Sequence, residues 1–247
     1  MTMRALVVHN RYSAATPSGE NVSVDLEVAG LRAAGVEVVV HETSNDDVLG
    51  GGVAIKLRAA AEGAWSPRAA ARFGVVLDRV RPDIVHVHNL FPLLTASVPW
   101  RAVRRDVPVV WTARNLRVVC VEGTHFRAGH DCTECRPGWR VPGVVHGCYR
   151  GSPTTSALVT SATSIFRRLA RTRLQVVAIS ETLRTWLVDE AGFDPARVRV
   201  KYNGVPSPAV TPGPAETAEP TFVFVGKFAR HKGIDLLLDA WGRVGAP

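Results

Sequence analysis

Several things this chain does not have narrow what it is. Nowhere in its 247 residues is there an uninterrupted apolar run of the ~18 residues a membrane-spanning helix needs, so a soluble protein is expected. No cleavable leader is recognisable: Met1-Thr2-Met3-Arg4 takes one basic residue into the short apolar run Ala5-Leu6-Val7-Val8 and then into polar residues, without a small-residue cleavage site. That start reads as a strand, and a cytoplasmic location follows as the expectation. No G-x-G-x-x-G follows this strand, which removes the dinucleotide fingerprint. Acid is scarce only in the middle of the chain. Residues 1–100 carry nine Lys and Arg against ten Asp and Glu, residues 101–200 sixteen against eight, and residues 201–247 five against four, so the net charge of +8 sits almost wholly in the central hundred. Such a field favours anionic partners such as phosphorylated substrates, an anionic membrane or nucleic acid, although an arginine-rich solvated surface would look the same.

A hydrophobic content of 46% is enough for a sizeable core, and at ~100 to 200 residues per domain the length allows one large domain or one domain and part of a second. Apolar runs alternate with helical patterns, the signature of a parallel sheet with crossover helices. Strands are expected at 5–8, 36–40, 83–88, 107–112, 175–179 and 198–200. Helices are expected at Val22–Ala34, with Val22, Leu26, Ala29 and Ala33 on the apolar side, at Arg68–Val80 and at Glu181–Glu190, where Ser180 opens the helix and Gly192 stops it.

Residues 1–205 thus read as a Rossmann-like α/β domain. Pro206 to Pro220 holds five prolines among small and polar residues, as a semi-rigid linker does. Residues 221–247 begin a second domain, with a strand at Thr221–Gly226 and a helix at Gly233–Val244 whose apolar side is Leu236, Leu237, Ala240 and Trp241. One strand and one helix bury too little to fold alone, so the chain is expected to be a fragment truncated within that domain.

Four cysteines, Cys120, Cys132, Cys135 and Cys148, fall in one 29-residue window within an irregular insertion at about 118–150. Cys132-Thr133-Glu134-Cys135 has zinc-knuckle spacing, and Cys120 and Cys148 would complete a tetrahedral thiolate site of structural kind, with no open position for catalysis. Reduced thiols packed under the loop, or two disulfides, are the alternatives; a reducing compartment disfavours the disulfides.

Taken in order, His9-Asn10-Arg11-Tyr12 with Ser18-Gly19-Glu20, Pro82-Asp83-Ile84-Val85-His86-Val87-His88-Asn89-Leu90-Phe91-Pro92, Thr112-Ala113-Arg114-Asn115-Leu116-Arg117-Val118-Val119-Cys120, Ala178-Ile179-Ser180-Glu181, Tyr202-Asn203-Gly204-Val205 and Val225-Gly226-Lys227-Phe228 with Lys232-Gly233 resemble glycosyltransferase family 4. The insertion resembles that of members from polysaccharide gene sets. The likeness implies a GT-B fold of two Rossmann-like domains, the first for the acceptor and the second for the donor. It also implies a retaining hexosyl transfer from a nucleotide-diphosphate sugar to a saccharide or lipid-linked acceptor.

In that scheme Gly226, Lys227 and Lys232 meet the diphosphate, whose charge grows as the glycosidic bond breaks. Gly19, Glu20, Asn89, Asn115, Asn203 and Gly204 contact substrate, with Asn203-Gly204 as a hinge turn. His88 and Arg114 are the catalytic candidates. Relatives often carry His where Arg114 stands; Arg is no base near neutral pH, which leaves charge stabilisation. His86 shares a strand face with His88, so one of the two is expected to be a satisfied core residue. The acidic pair with which the family holds its donor is absent, so the fragment is expected not to turn over. No cofactor is expected beyond structural zinc, and no nucleic acid. The basic helix Ile165–Arg173 suits peripheral contact with an anionic membrane at the inner face of the plasma membrane. Two rival readings are a basic zinc-knuckle module for nucleic acid and an inactive scaffold of the same fold.

Overall fold

The computed structural model describes residues 2–15, 18–136, 138–207, 222–226 and 228–244. The chain runs β1 (Arg4–Arg11), α1 (Gly19–Ala33), β2 (Glu37–Ser44), α2 (Asp46–Leu49), α3 (Val53–Glu62), α4 (Pro67–Val80), β3 (Ile84–Val87), α5 (Ser97–Val103) and β4 (Val109–Ala113). A two-stranded antiparallel ribbon follows, β5 (Phe126–Arg127) with β6 (His130–Asp131), then α6 (Val141–Val145), α7 (Pro153–Arg173), β7 (Gln175–Ala178), α8 (Glu181–Thr185), β8 (Val198–Val200) and α9 (Ile234–Val244).

Six strands form one parallel sheet in the order β2-β1-β3-β4-β7-β8. The chain leaves β1 to one side for β2 and returns on the other side for β3. Between these two carboxyl ends the connections part in opposite directions, and an open parallel sheet there leaves a crevice for ligand.

Strand side chains alternate between faces, and the core divides accordingly. Leu6 and Val8 of β1, with Val85, Val87, Val109 and Trp111, pack with Phe73 and Leu77 of α4, Val98 and Ala102 of α5, and Ala170 of α7. Val7 points the other way, onto Val24 and Val28 of α1.

Helix α4 shows how local sequence builds one of these layers. The Ser66 hydroxyl accepts from Ala69 N at 3.1 Å, Pro67 fills the first turn, where no donor is needed, and Ala70, Phe73, Gly74 and Leu77 recur at helical spacing on the buried side.

The six strands expected between residues 5 and 200 all form, with ends shifted by a few residues. Helix α1 turns a different face to the sheet from the one expected: Val24 and Val28 are buried, while Val22 is 57% exposed. The helix carries two apolar stripes, and Val24, Val28 and Leu31 are the one that meets Val7, Val38 and Val40. Ser180 caps α8 as expected, accepting from Leu183 N, but the helix loosens into a π turn at Trp186–Glu190 before Gly192 stops it at a φ of 68°.

Thr221 lies outside the described residues, and residues 222–226 are not a strand: they have no regular structure and no pairing partner among the described residues. Residues 201–207 form no turn, and Gly204 is not among the positive-φ glycines, so Asn203-Gly204 is not the expected hinge turn. Helix α9 forms, but Leu236, Leu238 and Trp241 are exposed on it. Most of the expected linker, residues 208–221, lies outside the described residues. Among the described residues no helix is long and apolar enough to cross a membrane.

Candidate functional site

The carboxyl ends of β3 and β4 and the first turn of α1 converge on a cavity of about 80 Å³. Glu20, His88, Asn89, Arg114 and Asn115 line it, so five of the expected site residues are brought together from three separate stretches of sequence. Trp111, Phe166 and Val118 supply its apolar wall.

The two histidines of β3 separate in role. The His86 ring is hydrogen-bonded to Thr112 Oγ1 at 2.7 Å. His88, whose ring centroid lies 4.3 Å from that of His86, is 2% exposed, and both its ring nitrogens are without a hydrogen-bond partner among the described residues. A buried unpaired polar group costs about 1–3 kcal/mol, so the cavity wall holds a donor and an acceptor with nothing to bond. Burial, and then the neighbouring His86, Arg114 and His9, push the His88 pKa far below its usual range, and the imidazole is neutral. Burial also lowers His86 and His9.

Arg114 leaves the end of β4 with its side chain only 4% exposed. Its Nη2 donates to Glu27 Oε2 at 2.9 Å and its Nη1 to Asn203 Oδ1, while Lys201 Nζ donates to Glu27 Oε1 at 2.9 Å. Glu27, which the sequence reading passed over, is thus a carboxylate shared by two cations. The signal available for it was an acid one residue before the buried Val28 in the stripe that faces the sheet. Glu27, His86 and His88 also place their ligand atoms within 4.8 Å of one another, the spacing of a metal site. With both carboxylate oxygens already taken by Arg114 and Lys201, a divalent ion there would face two like charges, and the set does not suit one.

Asn89 lines the cavity with its amide already used. Nδ2 donates to Asn10 O at 2.8 Å and Phe91 O at 3.1 Å, and Oδ1 accepts from Phe91 N. Its work is to tie β3 to β1. Asn115 Oδ1 accepts from Arg117 N at 3.1 Å and starts the next loop. Glu20 accepts from Tyr12 Oη at 3.2 Å, and burial raises its pKa against the opposing pull of Arg114 and Arg117.

Arg117, a second residue not anticipated, lines this cavity and an adjoining one of about 370 Å³, where it stands 5.7 Å above the Tyr149 ring. Phe91 is also shared by the two cavities, and Lys56 and Arg150 line the larger one, which has no carboxylate in its lining.

Gly19 opens α1, and a Cβ there would meet nothing within 4 Å, so this position does not need glycine for space. Ser18 caps the helix by accepting from Asn21 N. Gly204 is exposed, and neither it nor Asn203 lines the cavity, although Asn203 reaches it through Arg114. Gly226 is exposed, Lys232 ends an exposed 3-10 turn outside the cavity lining, and Lys227 lies outside the described residues. The four cysteines are not bonded to one another, and all line a third, smaller cavity under the insertion.

Residues 17–207 match the profile described as Glycosyltransferase Family 4. No curated protein matches the chain. Among solved structures, a glycosyltransferase from Rickettsia africae ESF-5 aligns at 13% identity over 83% of this chain and 44% of its own, with a TM-score of 0.43. The UDP-bound MnaA of S. aureus aligns at 14% identity over 81% of this chain and 43% of its own, with a TM-score of 0.47. A UDP-GlcNAc 2-epimerase from Neisseria meningitidis bound to UDP-GlcNAc aligns at 14% over 80% and 45%, with a TM-score of 0.45. The chain therefore spans less than half the length of each of these three structures. The family match runs through the sheet and its crossover helices from α1 to β8 and takes in every lining residue of the cavity at the strand ends, so this chain belongs to Glycosyltransferase Family 4, and its sheet is the Rossmann-like unit of a GT-B fold.

Proposed function

We propose that the protein transfers a hexose, with retention, from a nucleotide-diphosphate sugar to a saccharide or lipid-linked acceptor, and that the cavity at the ends of β3 and β4 receives the acceptor. The observation that carries this reading is His88: a neutral imidazole, buried, with both nitrogens unpaired at a cavity wall. A sugar hydroxyl donates and accepts one bond each, which is what such a ring lacks.

Arg114 contributes positive charge beside the reacting centre, held in place by Glu27 and Asn203; always protonated, it does not shuttle a proton. Lys227 and Lys232 would meet the departing diphosphate. Most of the acceleration then comes from orientation and from fixed charge. Arg168, Arg171 and Arg173, exposed on α7, suit peripheral contact with an anionic membrane on the cytoplasmic side, whereas Arg167 is occupied by the carbonyls of Glu190 and Ala191.

The test uses the product of the complete reading frame. Its melting temperature is measured against UDP-, GDP- and ADP-sugars, where a true donor at 100 times its Kd stabilises the protein by about 2.7 kcal/mol. His88→Phe should leave that donor shift in place while raising the acceptor KM or abolishing transfer. If no nucleotide sugar shifts the melting temperature, and transfer survives Lys227→Ala with Lys232→Ala undiminished, the reading is wrong.

A further inference from the structure

The insertion between β4 and α7 is built around sulfur. Cys120, Cys132, Cys135 and Cys148 come from three separate turns, yet all four line one cavity of about 20 Å³. Each approach has its own local cause. The β5–β6 ribbon, with Cys132 N donating to His125 O at 2.7 Å, folds Cys132 back over the loop. A tight turn, in which Gly138 N donates to Cys135 O at 2.9 Å, follows the Cys132–Cys135 pair, and Cys148 N donates to Gly143 O at 3.0 Å.

Gly123 N–H donates to Cys120 Sγ at 3.4 Å. Gly143 has no room for a side chain: a Cβ there would fall 2.6 Å from Val121 Cγ2 and 3.3 Å from Cys135 Sγ, so Val121 would have to shift.

A C-x-x-C pair and two further cysteines facing one small cavity make the ligand set of a structural zinc site. We propose that these four cysteines bind one zinc ion in a tetrahedral, structural site that clamps the insertion.

The sulfurs share the cavity without converging: among the described residues, no three of them lie within 4.8 Å of one another. Tetrahedral zinc brings its sulfurs to about 3.8 Å apart. One change of staggered rotamer carries a cysteine sulfur about 3 Å, so closure asks for side-chain rotation into a space the four already face. Of the other ligand-bearing residues in this lining, His146 pairs with Glu134 at 2.9 Å, whereas His125 Nδ1 and Glu122 Oε2 are without a hydrogen-bond partner among the described residues. Four thiolates saturate the ion, and the site has no part in transfer chemistry. Its consequence is positional. Arg117 lies three residues before Cys120, and Tyr149 and Arg150 directly follow Cys148, so the clamp fixes both ends of the segment that lines the larger cavity.

The whole chain, purified without a metal-affinity step and without chelators, is assayed for zinc by elemental mass spectrometry, with about one equivalent expected. Replacement with Co(II) should give an intense thiolate-to-cobalt band and tetrahedral visible transitions. The pair Cys132→Ser with Cys135→Ser should lose the metal. If that variant does not fold, release of zinc from the native chain by a mercurial, in step with thiol titration, decides instead. Less than about half an equivalent of zinc on a chain with four reduced thiols overturns the proposal. So do two disulfides in an unreduced peptide map, or zinc retained after both substitutions. None of these readouts depends on glycosyl transfer.

Discussion

Glu27 decides much of the site's electrostatics. Its side chain is 11% exposed and its two oxygens hold Arg114 and Lys201, so the guanidinium at the cavity wall is kept in place by a residue from the helix over β1. Removing one member of a buried pair leaves the other desolvated and uncompensated, which costs more than the pair contributes. Glu27→Gln should therefore lower unfolding free energy by about 3–5 kcal/mol, seen as a lower urea midpoint at an unchanged m-value. A loss below about 1 kcal/mol would mean that solvent reaches Arg114. His88 presents the complementary case, a buried group whose ring nitrogens have no partner among the described residues. The histidines and Arg114 were visible in sequence because they end an apolar strand or follow one. Glu27 was not, because an acid in an amphipathic helix is ordinarily a solvated one.

Among the elements, strands were more legible than helix faces. A strand buried on both sides is apolar throughout, and a run such as Ala5-Leu6-Val7-Val8 has no common alternative. Helix α1 carries two apolar stripes, and only contact with Val7, Val38 and Val40 selects Val24 and Val28 over Val22. Helix α4 had no such ambiguity, since its serine cap, first-turn proline and single stripe agree. Ser66→Ala should cost about 1 kcal/mol by leaving the Ala69 N–H without its partner, with Thr at that position restoring most of it. Circular dichroism melts of the two variants would show whether the cap stabilises as much as its geometry implies. Residues 222–226 show the limit of strand propensity: Phe222, Val223 and Val225 favour extension, but a ladder needs a neighbour.

At the scale of the whole molecule, histidines depressed by burial set a pH dependence. His9, His41, His86, His88 and His125 all have folded pKa values held below 6.5 by burial, so the unfolded chain takes up protons below that pH more readily than the folded chain does. Stability is then complete above about pH 6.5 and falls as pH drops, by up to about 1.4 kcal/mol per pH unit for each histidine. Glu20, raised by burial, acts in the opposite sense, because its folded form prefers the proton. The difference between wild type and His88→Gln isolates one group: the variant's stability should fall by about 1.2 kcal/mol less per pH unit between pH 6 and 5. Parallel curves would place water or charge at His88. The insertion is also tied to α7 through Arg140. Buried, and with no carboxylate partner among the described residues, it donates to Arg117 O, Thr160 O, Thr163 and Ser164, and burial pushes its pKa down to about 10.

The sequence alone determined the parallel α/β sheet, the order of its strands along the chain and the place in each strand where function would gather. Those properties follow from local periodicity and from the chemistry of residues at strand ends. It also marked the cysteines as a group, since their clustering is a fact of spacing. Only the tertiary structure decided which histidine is satisfied and which is left unpaired, that Arg114 is tied to Glu27 and Lys201, and that the amide of Asn89 is used up in joining two strands. Each of these depends on what lies opposite a side chain across tens of residues, and hydrogen-bond partners at that separation leave no periodic trace in the chain.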